Sequence, residues 1–309
     1  MAAPKNILDD PKRLKELEKV SQDISFIHPA EDNALGFGAR CFISGSLPYS
    51  KPKDSQLENG VWLRTNGQYT FFIQADPFAG FPHGRYPRLF LIWLTSEVVR
   101  TKDRRISAGN SFRGFMKQLG IPYGGGPRGS GTLLMKQIES LLSSRFGYRY
   151  TNQDANGGQE SRKFLQPTDE YHMFWNERDK HEEQLNLFES YITLSEPFYN
   201  ELIEHHVPLD MRAIKALQKS SLALDIYQWL AQRMYVLDQS GQPAYISWKA
   251  LNLQFGSNYR YPSQFRDYFL RELPAVKLLY PEARINAEDK KVLKLYPSPP
   301  PVPVKWKSL

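Results

Sequence analysis

Cysteine is almost absent from this chain. Cys41 is the single one among 309 residues, so no intrachain disulfide framework and no multi-cysteine zinc site can form. That usage fits a reducing compartment, and a cytoplasmic location is the expectation. Long apolar runs are missing as well. No segment approaches the roughly 18–20 apolar residues of a membrane helix, so no membrane association is expected. Residues 1–20 lack the basic start, apolar stretch and small-residue cleavage site of a secretory leader.

Histidine is scarce, at six residues. His205-His206 form the one adjacent pair. A nickase would want two histidines flanking an apolar residue on a strand, so no metal site is expected here. The pair instead suits a helix C-terminus, where a partial positive charge meets the free carbonyls. The run from Gly124 to Thr132 is rich in glycine, yet no Lys stands in the G-K-[ST] position and a helix precedes it. It is therefore not a nucleotide-phosphate loop, and no cofactor is expected. Carboxylates cluster at 169–183 with only His172 and His181 nearby, which gives no hydrolytic constellation. The chain reads as a non-enzymatic protein.

What is present is charge in blocks. Residues 81–163 carry 14 Lys/Arg against 5 Asp/Glu, residues 164–206 carry 2 against 10, and residues 207–309 carry 15 against 8. The first 80 residues are nearly balanced. The net charge of +7 thus hides two basic modules joined by an acidic connector. Two separated basic surfaces point to a long polyanion such as DNA. The division expected is an N-terminal extension, partly flexible, over 1–55; a first domain with the connector over 56–206; and a second domain with a proline-rich tail over 207–309.

Periodicity supplies the elements. Pro11 to Phe26 reads as a charged helix, and Val61 to Ile73 as a hairpin around Asn66-Gly67. An apolar face on Leu89, Ile92, Trp93 and Val99 marks a helix over 88–101. A short strand follows at Ile106, then a helix capped by Asn110 or Ser111 and ended by Gly120 and Pro122. A third helix carries Leu134, Ile138, Leu141 and Leu142, and Phe146–Thr151 with Phe164–Leu165 form a hairpin. The second half repeats the order: helices at 210–217 and 221–237, a strand at Tyr245, helices at 248–255 and 262–273, then a hairpin of Lys277–Tyr280 and Val292–Tyr296. Helix, short strand, helix, turn, helix and hairpin is the winged helix-turn-helix order. The expected fold class is α+β, two winged-helix domains in tandem.

The stretch from Gly84-Arg85-Tyr86-Pro87-Arg88-Leu89 through Trp93-Leu94-Thr95 to Val99-Arg100-Thr101 resembles plasmid-encoded RepA-type replication initiators, which tend to read G-x-x-P-R-L-L-L-x-W-L-T-x-E-A-V-R-T. Three further blocks support the resemblance. Leu119-Gly120, Gly124-Gly125 and Gly131-Thr132 are similar to that family's L-G … G-G … G-T turn. Val207-Pro208-Leu209-Asp210 with Ala223-Leu224-Asp225-Ile226-Tyr227-Gln228-Trp229-Leu230 is similar to its V-P-L-D … A-L-D-x-Y-x-W-L. Ile246-Ser247-Trp248, Leu251 and Gln254-Phe255-Gly256 complete the pattern. The resemblance implies a plasmid initiator that binds repeated sites in double-stranded origin DNA and opens the origin. Host replication proteins, an initiator or a helicase, would be its partners. Related initiator folds also use the first module as a homodimer interface.

The residue types name the candidate contacts. In the first module Arg128, Ser130, Thr132 and Lys136 lie at the start and outer face of the third helix, where unpaired N–H groups and glycines suit a phosphate. Arg128 matches a guanine edge. Arg113 and Lys117 on the preceding helix suit phosphates, and Arg149, Arg162 and Lys163 suit a wing. Gln137 is an adenine reader only if it faces outward. The second module offers Asn258, Tyr259, Arg260, Ser263, Gln264, Arg266 and Arg271 around its last helix, Lys249 before it, and Lys290 and Lys291 at a wing tip. A transcriptional repressor of the same fold is the alternative; a primase or nickase is the enzymatic rival.

Overall fold

Asp10 caps the first helix, α1 (Pro11–Phe26), by accepting a hydrogen bond from the Lys12 N–H at 3.0 Å. The computed structural model describes residues 10–109, 111–154, 157–173, 190–256, 259 and 261–302, without the side chains of 66, 152–154 and 157–159. After α1 come β1 (Leu35–Ala39) and a short helix, α2 (Arg40–Ser44). Cys41 is buried.

Residues from Ser50 to His206 form one compact unit. It opens with β2 (Leu57–Glu58), β3 (Val61–Asn66) and β4 (Tyr69–Gln74). Asn66 pairs with Tyr69, so Gly67 and Gln68 are the turn residues, one step beyond the Asn66-Gly67 expected. Gly67 takes the positive φ, +62°, that a glycine-first two-residue turn needs.

Helix α3 (Arg85–Thr101) follows, then β5 (Arg105–Gly109), α4 (Phe112–Gln118) and α5 (Ser130–Leu142). The unit closes with β6 (Arg145–Asp154), β7 (Gly157–Leu165), β8 (Thr168–His172), β9 (Ser190–Leu194) and α6 (Glu196–Glu204). From α3 to β7 the element order is the one periodicity predicted, while β8, β9 and α6 stand where only an acidic connector was expected, and the pairing differs from a lone wing. The β6–β7 hairpin extends a five-stranded sheet, in the order β2-β3-β4-β6-β7, while β5 pairs with β9 in a sheet ordered β5-β9-β8. Phe71 and Ile73 on β4 are buried on the same sheet face as Phe146 on β6, so the two hairpins share one apolar face.

The other unit combines the chain before Ser50 with the chain from Val207 onward. Its later elements are β10 (His206–Asp210), α7 (Met211–Leu217), α8 (Ser221–Ser240), β11 (Ala244–Ser247), α9 (Trp248–Gln254), α10 (Pro262–Leu279), β12 (Ile285–Asn286) and β13 (Val292–Leu295). Residues 10–49, part of the segment expected as a partly flexible extension, pack into this core. Leu17 is fully buried, β1 pairs with β10, and the Ser21 hydroxyl donates to the Leu278 carbonyl at 2.5 Å. Gly38 permits that approach, because a Cβ there would stand 2.9 Å from Gln228 Oε1.

One expected strand is a helix. Lys277 to Leu279 continue α10 through Pro274, and β13 pairs instead with β11 and with β12. Ala275, Val276 and Leu279 are buried, and that burial outweighs the hydrogen bond that Pro274 removes. The proline-rich tail folds back: Tyr280 Oη donates to the Pro299 carbonyl at 2.6 Å, and Val302 is buried. Among the described residues, no helix is long and apolar enough to cross a membrane.

Candidate nucleic-acid interface

The turn from α4 to α5 is held by its own hydrogen bonds. Ser111 caps α4 by accepting from the Gly114 N–H at 3.2 Å. Phe112, Phe115 and Met116 face inward, which leaves Arg113 and Lys117 exposed. The Arg113 guanidinium lies 4.5 Å from the centre of the Tyr123 ring. Within the turn, Ser130 Oγ donates to the Pro122 carbonyl at 2.6 Å and Thr132 Oγ1 to the Gly126 carbonyl at 2.8 Å. Gly131 N–H reaches the Gly124 carbonyl at 3.2 Å. A Cβ on Gly129 would stand 2.1 Å from the Gly124 oxygen, so the packing admits only glycine there.

This geometry sorts the first-module candidates. Arg128 and Lys136 are exposed, Arg128 just before α5 and Lys136 on its outer side. Ser130 and Thr132 commit their hydroxyl protons to the turn. A phosphate oxygen only accepts, so in this arrangement neither hydroxyl has a proton for a phosphate, while each oxygen keeps lone pairs that accept from a base amino group. Gln137 is buried, and its Oε1 accepts from the His83 N–H at 2.6 Å. It braces α5 against the segment before α3 and reads no base. Burial lowers the His83 pKa, helped by the nearby charges of Lys51, Lys136 and Arg88 and opposed by its bond to the Phe81 carbonyl.

The three hairpin candidates differ in how far an internal carboxylate claims them. Arg162 pairs with Glu160, and Arg149 lies 3.7 Å from the same carboxylate. Lys163 pairs with Glu201 on α6, whose side chain is almost wholly buried. Burial lowers the Lys163 pKa, but the Glu201 hydrogen bond and charge overcome this and leave it raised. Lys163 therefore neutralises an internal carboxylate, a role its sequence position on a basic hairpin did not reveal. The histidines behave as a helix end. His206 Nδ1 lies 2.9 Å from the Ile203 carbonyl, and burial lowers its pKa against the opposing effect of that bond.

In the other unit, Ser247 caps α9 by accepting from the Ala250 N–H at 3.1 Å, and Lys249 is exposed beside it. Ser263 and Gln264 are exposed on the first turn of α10. Arg266 is only partly exposed. Its guanidinium lies 5.6 Å from the Trp248 ring centre and donates to the Ala287 carbonyl at 3.3 Å, tying α10 to the segment after β12. Arg271 sits 4.5 Å over the ring of Tyr268, on which Tyr259 stacks at the same separation. Burial first, then the neighbouring Tyr268, pushes the Tyr259 hydroxyl up to about 12. Asn258 and Arg260 fall outside the described residues. Lys290 and Lys291 are exposed between β12 and β13, and that loop is fixed by Asp289, which accepts from the Lys291 N–H at 2.8 Å.

A family model described as plasmid-encoded RepA protein matches residues 81–250, more than half of the chain. The chain belongs to the plasmid-encoded RepA family. In this RepA-family chain, the Gly84–Thr101 motif is a core motif. Leu89, Phe90, Ile92, Trp93 and Leu94 are buried, and Arg88, also buried, donates to the Gly84 carbonyl at 2.7 Å. The Val207–Asp210 block is likewise structural: Asp210 caps α7 and holds Arg212 at 2.7 Å. Both of these blocks thus consist largely of residues that build the fold. No curated protein matches the chain. The crystal structure of RctB domains 2–3 is similar at 12% identity and a TM-score of 0.49, covering 82% of this chain and 94% of that one. A selenomethionine derivative of RctB domains 2 and 3 is similar at 11% identity and a TM-score of 0.49, covering 83% and 97%.

Proposed function

We propose that this RepA-family protein is a plasmid replication initiator that binds specific double-stranded DNA through two helix-turn-helix modules. One observation carries the reading beyond family membership. Arg113, Lys117, Arg128 and Lys136 are all exposed around a rigid glycine turn that leads into α5. Cations on a preorganised turn can meet phosphates without the entropy of ordering a loop. The exposed Lys249, Ser263, Gln264, Lys290 and Lys291 supply a second set in the other unit, whose β11-β13-β12 sheet suits a winged helix. Two modules on one duplex raise affinity through effective concentration. Binding energy would distort the origin and load host replication proteins, with no covalent step.

The test is fluorescence anisotropy with duplex DNA taken from beside the protein's own gene, against a scrambled duplex, over a salt series. A preference of roughly a hundredfold with a steep salt slope supports the reading. Equal affinity for both duplexes overturns it.

A further inference from the structure

The five-stranded sheet has one buried and one open face. Residues directly opposite on antiparallel strands share a face. Trp62, Ile73, Phe146 and Leu165 form one such row and are buried. The alternate rows point the other way. Leu63, Phe72, Gly147 and Phe164 make an apolar row across four strands. On one side of it runs a row that ends in Arg149 and Arg162, and on the other a row that ends in Arg145. Gly147 has no side chain because the Phe72 ring occupies that place; a Cβ would stand 2.4 Å from Phe72 Cζ. Phe72 meets Phe164 edge to face at 5.9 Å, and Phe164 is 56% exposed. Glu160 holds the guanidiniums of Arg149 and Arg162 but cancels only one of their charges.

We propose that this face binds single-stranded DNA, with an unpaired base stacked on Phe164 and phosphates held by Arg145, Arg149 and Arg162. An exposed phenylalanine, backed by a second aromatic ring and flanked by arginines, is the chemistry of a stacking platform. A duplex offers phosphates but hides the faces of its bases, so it leaves Phe164 unused. A second copy docked symmetrically on this face would place arginine rows against arginine rows. The proposal takes only its biological setting, the opened origin, from the initiator reading; the binding stands by itself.

The experiment uses the full chain and a fluorescein-labelled oligothymidylate of about 16 nucleotides. The wild type should bind it, Phe164→Ala should weaken that binding about tenfold, and Phe164→Trp should restore it. Affinity for the origin duplex should not change in either variant, and thermal melting should confirm that both fold. An unchanged oligothymidylate affinity in Phe164→Ala overturns the proposal. So does a parallel loss for single strand and duplex, which would mean one shared site. So does a wild-type dimer in light scattering that Phe164→Ala dissociates, which would make the face a protein interface. Failure of the initiator reading looks different: no preference for the origin duplex, with the single-strand results intact.

Discussion

Lys163 on β7 neutralises Glu201 on α6, a residue with only 3% of its surface exposed. The hydroxyl of Tyr148 lies 3.5 Å from the same carboxylate. Removing the lysine leaves a buried charge without its cation. Lys163→Ala should therefore lower stability by about 1–3 kcal/mol, below the cost for a fully buried pair because water screens the exposed lysine. Urea unfolding reads this directly, and Lys163→Ala with Glu201→Gln should recover part of the loss. The raised Lys163 pKa makes this stabilisation complete below the lysine's ordinary pKa, and lost as pH rises through the folded value.

His83 and His206 predict an acid limb. Burial lowers both pKa values, so the folded state favours neutral rings. Their contribution is present above the ordinary histidine pKa and lost as pH falls through the lower folded values. Melting temperatures recorded from neutral pH downward should drop across that window. His83→Gln should flatten part of the drop; an unchanged slope would put the acid sensitivity elsewhere.

Gly129→Ala tests the turn before α5. The new Cβ would collide with the Gly124 and Gly125 carbonyl oxygens, at 2.1 and 2.4 Å. The turn must open, at a cost of about 1–3 kcal/mol by analogy with overpacking. Duplex affinity should fall with it, although residue 129 carries no charge. Ser130→Ala should give a smaller loss of stability, about 1 kcal/mol, from the missing bond to Pro122.

Arg128 and Arg266 should separate cleanly. Arg128→Ala removes an exposed cation and should cost about 1–3 kcal/mol of specific binding if that guanidinium reads a base. Its melting temperature should stay close to wild type. Arg266→Ala removes a brace between α10, Trp248 and the Ala287 carbonyl. It should destabilise by about 1 kcal/mol through lost packing and hydrogen bonding. Anisotropy and thermal unfolding on both variants decide the matter; an Arg266→Ala protein of full stability and weak binding would reverse the assignment.

Local pattern determined much of this protein. The helix from Pro11, the cap at Ser111 and the hairpin after Val61 follow from spacing and capping alone. Those features depend on neighbours within one or two turns of chain. Tertiary structure decided the rest. It joined residues 10–49 to the core after Val207, carried α10 past Pro274, and merged the β6–β7 hairpin into a larger sheet. It also decided which cations are available. Lys163 and Arg128 are both basic residues in one charge block, yet Lys163 balances a carboxylate from α6 while Arg128 stands exposed. Burial and ion pairing depend on which distant segments meet, and no local pattern encodes that.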